Sequence, residues 1–345
     1  MIQVDNIKRS FRSVKKEEGW RGTLNLLLKP QYTSHEALKG VSFSIEPGAF
    51  VGLIGANGAG KTTLLKILSG LIPPTEGSAT VLGQNPFERS LHFRHSISLV
   101  MGQKAQLWWD LPAQDAFELL RAIYNIPIPT YRQRLEELST LLDVKPLLQT
   151  QIRRLSLGER MKMELIGALL HWPKVIFLDE PTIGLDVLAA HKLREFLREF
   201  NQRQKATIIL TSHNMDDIER LCTRVLILRQ GSLIFDGAPS QLTRSGLCQL
   251  RVQTLRPVPK TELSLWTGIS PNAIHYSSTE ADEESSEEKP TGTVLFTLER
   301  EKIVSTLQTL MSRTTLIEMG IEEQSLESVI QNLYANETQL ANRSS

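Results

Sequence analysis

The sequence contains only two cysteines, Cys222 and Cys248, among 345 residues. Two isolated thiols form neither a disulfide framework nor a metal-binding spacing, so the chain suits a reducing compartment. No run approaches 18 consecutive apolar residues, which excludes a membrane-spanning helix of ordinary length. Met1-Ile2-Gln3-Val4-Asp5 lacks the basic-then-apolar pattern of a secretory leader, and a cytoplasmic location is expected. An excess of one charge is also missing: 39 Lys and Arg face 38 Asp and Glu, a net of +1. No global field therefore draws the protein to nucleic acid or to an anionic surface. What is present, 41% hydrophobic and 22% charged residues, is ordinary for a soluble globular protein. The length allows one large domain and a smaller one.

Against this ordinary background one stretch stands out: Gly55-Ala56-Asn57-Gly58-Ala59-Gly60-Lys61-Thr62-Thr63. It has the spacing G-x4-G-K-[ST] of a phosphate-binding loop. The apolar run Phe50-Val51-Gly52-Leu53-Ile54 before it reads as a buried strand. After it Leu64, Leu65, Leu68 and Leu71 recur at helical spacing until Pro73-Pro74. Strand, glycine-rich loop and helix is the context that gives the motif meaning. Glycines let backbone N–H groups approach phosphate oxygens, and the helix N-terminus adds the positive end of its dipole. In such a loop Lys61 reaches the β- and γ-phosphates of a nucleotide and the Thr62 hydroxyl holds Mg²⁺.

Around the loop, residues 2–11 alternate like an edge strand ending in Lys8-Arg9-Ser10-Phe11. Phe11 either stacks on an adenine ring or closes the strand into a core. Between Val14 and Pro30, Trp20, Leu24, Leu27 and Leu28 mark one face of a short amphipathic helix. It either touches a membrane surface or a partner or, the favoured reading, caps the sheet of its own domain. Ala37 to Ile45, Gly77 to Leu82 and Ile97 to Met101 read as strands, and Gln103 follows the last. A helical insert is expected over about residues 105–172, with Phe117, Leu120 and Tyr124 on one face. Within it Leu155-Ser156-Leu157-Gly158-Glu159-Arg160 opens a helix, with Ser156 as N-cap and Glu159 completing a capping box.

Two carboxylates then end an apolar strand, Val175-Ile176-Phe177-Leu178-Asp179-Glu180. An Asp at such a strand end can reach a Mg²⁺ beside a phosphate loop, and the adjacent Glu180 can polarise a water. Another β-branched strand, Thr207 to Thr211, leads to Ser212-His213, where a γ-phosphate contact is wanted. Beyond Gly237, strands are expected near Leu247 to Gln253 and Thr293 to Leu298. Helices are expected from Ile303 to Met311 and from Ser325 to Tyr334. An acidic, serine-rich segment over residues 279–290 reads as a solvated loop.

Together these residues resemble the ATP-binding-cassette (ABC) ATPases. The loop at 55–63, Gln103, LSLGER at 155–160, FLDEPTIGLD at 177–186 and TSH at 211–213 occur in that family's order. The resemblance implies an α/β fold: a P-loop NTPase cassette with a RecA-like core, an antiparallel β subdomain and a helical subdomain, over residues 1–240. A small α+β accessory domain would occupy residues 241–345. It further implies ATP and Mg²⁺ as cofactors. Thr62, Asp179 and Gln103 would be at the metal, Glu180 the general base, Gln103 near the lytic water and His213 on the γ-phosphate. Phe11 would lie against adenine. A second cassette, from an identical or related chain, would complete each site with Ser156 and Gly158, and Asp186 would lie in the loop that communicates across the pair.

The usual family signature is Leu-Ser-Gly-Gly-Gln, whereas this chain carries Leu157 at the third place and Glu159 at the fifth. The long segment between Phe11 and Ala37, with Val100 to Lys104 and Leu107 to Pro112, is similar to sodium-efflux-type exporter ATPases. Trp108 and Trp109 either lie by a groove that receives a permease helix or pack locally. The expectation is an ATP-hydrolysing subunit that drives a separate membrane permease, most naturally for export, peripheral on the inner face of the membrane. Soluble cassettes that act on nucleic acid or ribosomes carry two cassettes or a coiled-coil insert. This sequence has neither, and no nucleic-acid partner is expected. A regulator without turnover would have only the Leu157 and Glu159 departures in its favour.

Overall fold

A computed structural model of the protein describes residues 1–14, 32–102, 105–243, 247–276, 292–323 and 329. The helix expected after Val14, Gln103 and the acidic loop lie outside these residues, as does the helix expected at 325–334 apart from Val329. The chain divides into two compact units, Met1–Ala238 and Pro239–Ser345.

The first unit is built on a six-stranded sheet in the order β5-β6-β7-β3-β8-β9. Its strands are β3 (Phe50–Ile54), β5 (Ile97–Met101), β6 (Val175–Asp179), β7 (Thr207–Thr211), β8 (Arg224–Arg229) and β9 (Ser232–Gly237). All neighbours pair in parallel except β8 and β9. Parallel strands are covered on both faces and therefore read as continuous apolar runs, as FVGLI, VIFLD and TIILT do. All five residues of β3 and of β7 are buried.

A second sheet joins β1 (Ile2–Val14), β2 (Tyr32–Ile45) and β4 (Glu76–Val81) in the antiparallel order β2-β1-β4. This corrects the expected edge position of residues 2–11: Ile2 pairs with Ile45 on one side and with Val81 on the other. Alternation reports which face of a strand is buried, here that of Ile2 and Val4, and says nothing about how many strands flank it. The core is continuous between the sheets, with Ile2, Val41 and Ile45 packed in one cluster with Leu64, Leu68 and Phe177.

Helix α1 (Lys61–Leu68) follows β3, and α2 (Leu91–Ser96) precedes β5. Three helices form the insert between β5 and β6: α3 (Ala113–Ile123), α4 (Ile128–Leu141) and α5 (Leu157–Leu169). Phe117, Leu135, Leu138 and Leu165 are buried on their facing sides. Helix α6 (Val187–Gln204) connects β6 to β7, and α7 (Met215–Leu221) connects β7 to β8.

The second unit carries an antiparallel sheet of order β11-β12-β10-β13. It comprises β10 (Leu247–Thr254), α8 (Lys260–Thr267), β11 (Ile274–Tyr276), β12 (Thr293–Glu299), α9 (Ile303–Arg313) and β13 (Leu316–Glu323). Leu250, Val252, Val294 and Phe296 from the sheet pack with Leu263, Ile303 and Leu310. Among these elements α8, β11 and most of β13 carried no sequence signal strong enough to read.

Candidate active site

The stretch 55–63 runs from the end of β3 into the first turn of α1, and its glycines are needed for different reasons. Gly60 caps the helix at φ +106°, and a Cβ there would meet the Ala37 carbonyl oxygen at 2.5 Å. Gly58, at φ +82°, faces open space. The first leaves room for β2 to approach, and the second keeps the loop surface free of side chain for a ligand. Lys61 begins α1 and is 6% exposed. Its ammonium donates to the carbonyls of Gly55 and Ala56, at 2.5 and 3.2 Å. Burial pushes its pKa below the usual lysine value, and the nearby carboxylates of Glu180 and Asp179 oppose that shift. Thr62 follows in the first turn, with Thr63 after it.

Beside this loop the strand ends of β6 and β7 meet in register, Asp179 opposite Thr211. The Asp179 carboxylate accepts the Thr62 hydroxyl at 2.9 Å through one oxygen and the Thr211 hydroxyl at 2.7 Å through the other. Thr211, buried at 0% exposure, also uses its Oγ1 and its carbonyl oxygen to accept the Glu180 backbone N–H, at 3.0 and 3.1 Å. Glu180 occupies the left-handed region at φ +55°, uncommon for a residue with a Cβ and held only where surroundings over-determine it. Its carboxylate meets the His213 Nε2 at 2.8 Å.

Three neighbours of the cluster escaped the sequence reading. In the sequence Thr211 shows only as the end of a strand and the first residue of TSH, and its hydroxyl joining Asp179 to Glu180 has no local signal. Gly102 donates its N–H to the Asp179 carbonyl at 2.8 Å, and a Cβ there would lie 2.2 Å from the Glu180 carbonyl oxygen. Glu164 of α5, 6% exposed, accepts the backbone N–H groups of Gln106 and Leu107 at 3.0 and 3.2 Å. It thereby pins the chain just past position 103. Burial raises its pKa, against the opposing pull of those two hydrogen bonds. A Glu at a core-facing helical position is the signal that could have found it.

The remaining expected site residues fall elsewhere in the same unit. Phe11, 37% exposed, has the Arg9 guanidinium 4.7 Å from its ring centroid and pairs across the sheet with His35. His35, Lys39 and Gly58 line one hollow beside the phosphate loop. Ser156 caps α5 and closes the capping box: its Oγ accepts the Glu159 N–H at 3.3 Å, and the Glu159 carboxylate accepts the Ser156 N–H at 2.9 Å. The Ser156 hydroxyl itself donates to that carboxylate at 2.8 Å. Gly158 packs near Leu185 and Ala189, while Asp186 caps α6 by accepting the Ala189 N–H at 2.8 Å. Their polar partners are thus local, separate from the Lys61–His213 cluster. Trp108 and Trp109 are 46% and 49% exposed, Arg160 lying 5.2 Å from the Trp109 ring centroid, so the core place goes to Leu107 instead.

The parallel strands β6 and β7 thus bring the Asp179 and Glu180 carboxylates and the Thr211 hydroxyl beside a glycine loop and the buried Lys61, an arrangement suited to phosphate. A family model described as ABC transporter matches residues 38–183. The ABC transporter ATP-binding protein NatA of Bacillus subtilis is 32% identical over 210 residues, which is 61% of this chain and 85% of the relative. The chain belongs to the ABC transporter ATP-binding family.

The Nod factor export ATP-binding protein I of Burkholderia pseudomallei is 34% identical over 215 residues, covering 62% of this chain and 70% of that protein. A solved ATP-binding subunit of an ABC transporter superposes with a TM-score of 0.59 at 26% identity, over 70% of this chain and 92% of its own. This ABC protein therefore has the cassette fold expected from its motifs, with an α/β mixed sheet, an antiparallel sheet and a helical insert. Among the described residues no helix is long and apolar enough to cross a membrane.

Proposed function

We propose that this ABC protein is the ATP-hydrolysing subunit of an exporter, acting on a separate membrane permease at the inner face of the membrane. The observation that carries the hydrolytic reading is the contact of Glu180 with His213 at 2.8 Å, beside an Asp179 already bonded to Thr62. The amides and glycines of residues 55–63 would cradle the phosphates, with Lys61 turning from the loop carbonyls toward the β- and γ-oxygens. Thr62 and Asp179 supply hard oxygen donors suited to Mg²⁺, which would neutralise charge developing on the phosphates. Among the described residues no group of three or more His, Cys, Asp or Glu could hold a metal alone. A cation here would take its other ligands from phosphate and water, and from Gln103.

Glu180 would accept the proton of the attacking water as general base, while His213 holds its carboxylate in place and contacts the γ-phosphate. Phe11 would stack against adenine. Ser156 and Gly158 of a second cassette would close over the γ-phosphate, with Asp186 near the shared boundary. Residues 241–345 would act as an accessory domain that contains none of these groups. Export is favoured by the likeness to a Nod factor export subunit.

The test is steady-state ATPase activity of the purified chain, alone and with its permease. Glu180→Gln is expected to lower kcat by roughly 10²–10⁴-fold, the span of general-base catalysis, while ATP binding persists. Unchanged turnover in this variant would remove Glu180 from the mechanism.

A further inference from the structure

Beneath the Glu180–His213 pair lies an ion pair that the hydrolytic scheme leaves unused. Asp217 of α7 is 0% exposed and Arg194 of α6 is 5% exposed. The Arg194 Nη1 donates to Asp217 Oδ1 at 2.8 Å. A buried pair of this kind is weak evidence of stabilisation, because desolvating both charges offsets much of their attraction. Its other hydrogen bonds are more informative. Asp217 Oδ2 accepts the Thr182 hydroxyl at 2.6 Å and the Ser212 hydroxyl at 2.6 Å. Ser212 Oγ in turn accepts the Asn214 backbone N–H at 3.0 Å.

Thr182 is two residues beyond Glu180, and Ser212 immediately precedes His213. One carboxylate oxygen therefore ties together the two loops that deliver the paired side chains. We infer that Asp217 is a positioning residue for Glu180 and His213, acting through the hydroxyls of Thr182 and Ser212. This rests on the reading of Glu180 as general base.

The physical need for such a tie is visible in the backbone. Glu180 sits at φ +55°, and Ile183 N–H returns to the Glu180 carbonyl at 3.3 Å, closing a tight turn. Thr211 holds the entry to that turn through the Glu180 N–H. Thr182 lies inside the turn, and its bond to Asp217 anchors the far side. The Arg194 guanidinium engages Oδ1 and so fixes the orientation of the Asp217 carboxylate, leaving Oδ2 directed at its two hydroxyl donors. Without the Thr182 bond, the Glu180 carboxylate would sample other directions, and general-base geometry falls off steeply with small displacements.

Replacing Asp217 or Arg194 leaves the other charge buried alone and risks unfolding, so the test uses the hydroxyls. The full chain is compared with Thr182→Val, Thr182→Ser and Ser212→Ala, measuring kcat, the KM for ATP and thermal unfolding, with Glu180→Gln as control. Thr182→Val is expected to lower kcat by roughly tenfold or more with KM within about twofold, and Thr182→Ser to restore it. Ser212→Ala should lower kcat in the same sense. A fall in melting temperature with unchanged kcat would reduce the network to a structural role and overturn the inference, as would equal losses for Val and Ser. Turnover in the parent chain that Glu180→Gln leaves intact would overturn the general-base reading, and this inference with it.

Discussion

At the scale of single residues, the site depends on hydroxyls as much as on carboxylates. Thr211 is the clearest case, since its Oγ1 donates to Asp179 and accepts from Glu180. Thr211→Val keeps shape and strand preference but removes that link, leaving one Asp179 oxygen short of a partner. A hydrogen bond to a charged group contributes about 1.5–3 kcal/mol. Losing it from the link that orients Asp179 and Glu180 should lower kcat by roughly ten- to a hundredfold, read by steady-state kinetics. Lys61, Thr62, Asp179 and Glu180 were legible because each sits at a fixed offset in a local motif. Thr211, Gly102 and Glu164 were not, because their importance arises from strand register and from contacts across many residues. The Glu164 carboxylate, for instance, bonds to amides 57 and 58 positions away.

At the scale of elements, α5 begins with a capping box whose acid doubles as a partner of the Ser156 hydroxyl. Ser156→Ala should destabilise the protein by about 1 kcal/mol in denaturant unfolding, the usual cost of a lost N-cap. Hydrogen bonds from Ser156 hold the Glu159 pKa below its ordinary value of 4.5. A depressed carboxylate pKa stabilises above the unfolded value and loses that contribution as pH falls through the folded one. Glu159→Gln should therefore flatten the acid limb of stability below about pH 4.5.

The end of the same region carries a second titrating group. His171 stacks on Tyr124 at a centroid distance of 3.9 Å, and its Nε2 lies 3.0 Å from the Ile97 carbonyl oxygen. Burial depresses its pKa from 6.5 to about 4. Stability from the neutral ring is complete above pH 6.5 and is lost as pH falls toward 4. Thermal unfolding between these limits should be less pH-dependent in His171→Phe, which keeps the stack and removes the titration.

At the scale of the whole molecule, every residue of the candidate site lies in the Met1–Ala238 unit. The proposed pairing of two cassettes is tested by light scattering on Glu180→Gln with ATP and Mg²⁺. A shift from monomer to dimer is expected, because blocked hydrolysis leaves the nucleotide in place to bridge the two copies. A variant that binds ATP and stays monomeric would favour a different partner cassette.

The sequence by itself determined the α/β class, the phosphate loop, the carboxylates at the end of β6 and the starts of α1 and α5. These are set by short-range periodicity, by glycine where φ is positive and by caps within one turn. Tertiary structure alone decided that β1 is flanked on both sides, that Thr211 lies opposite Asp179, and that Asp217 reaches Thr182 and Ser212. Those facts depend on which distant segments become neighbours. A chain's local pattern records which face is buried and not what it is buried against.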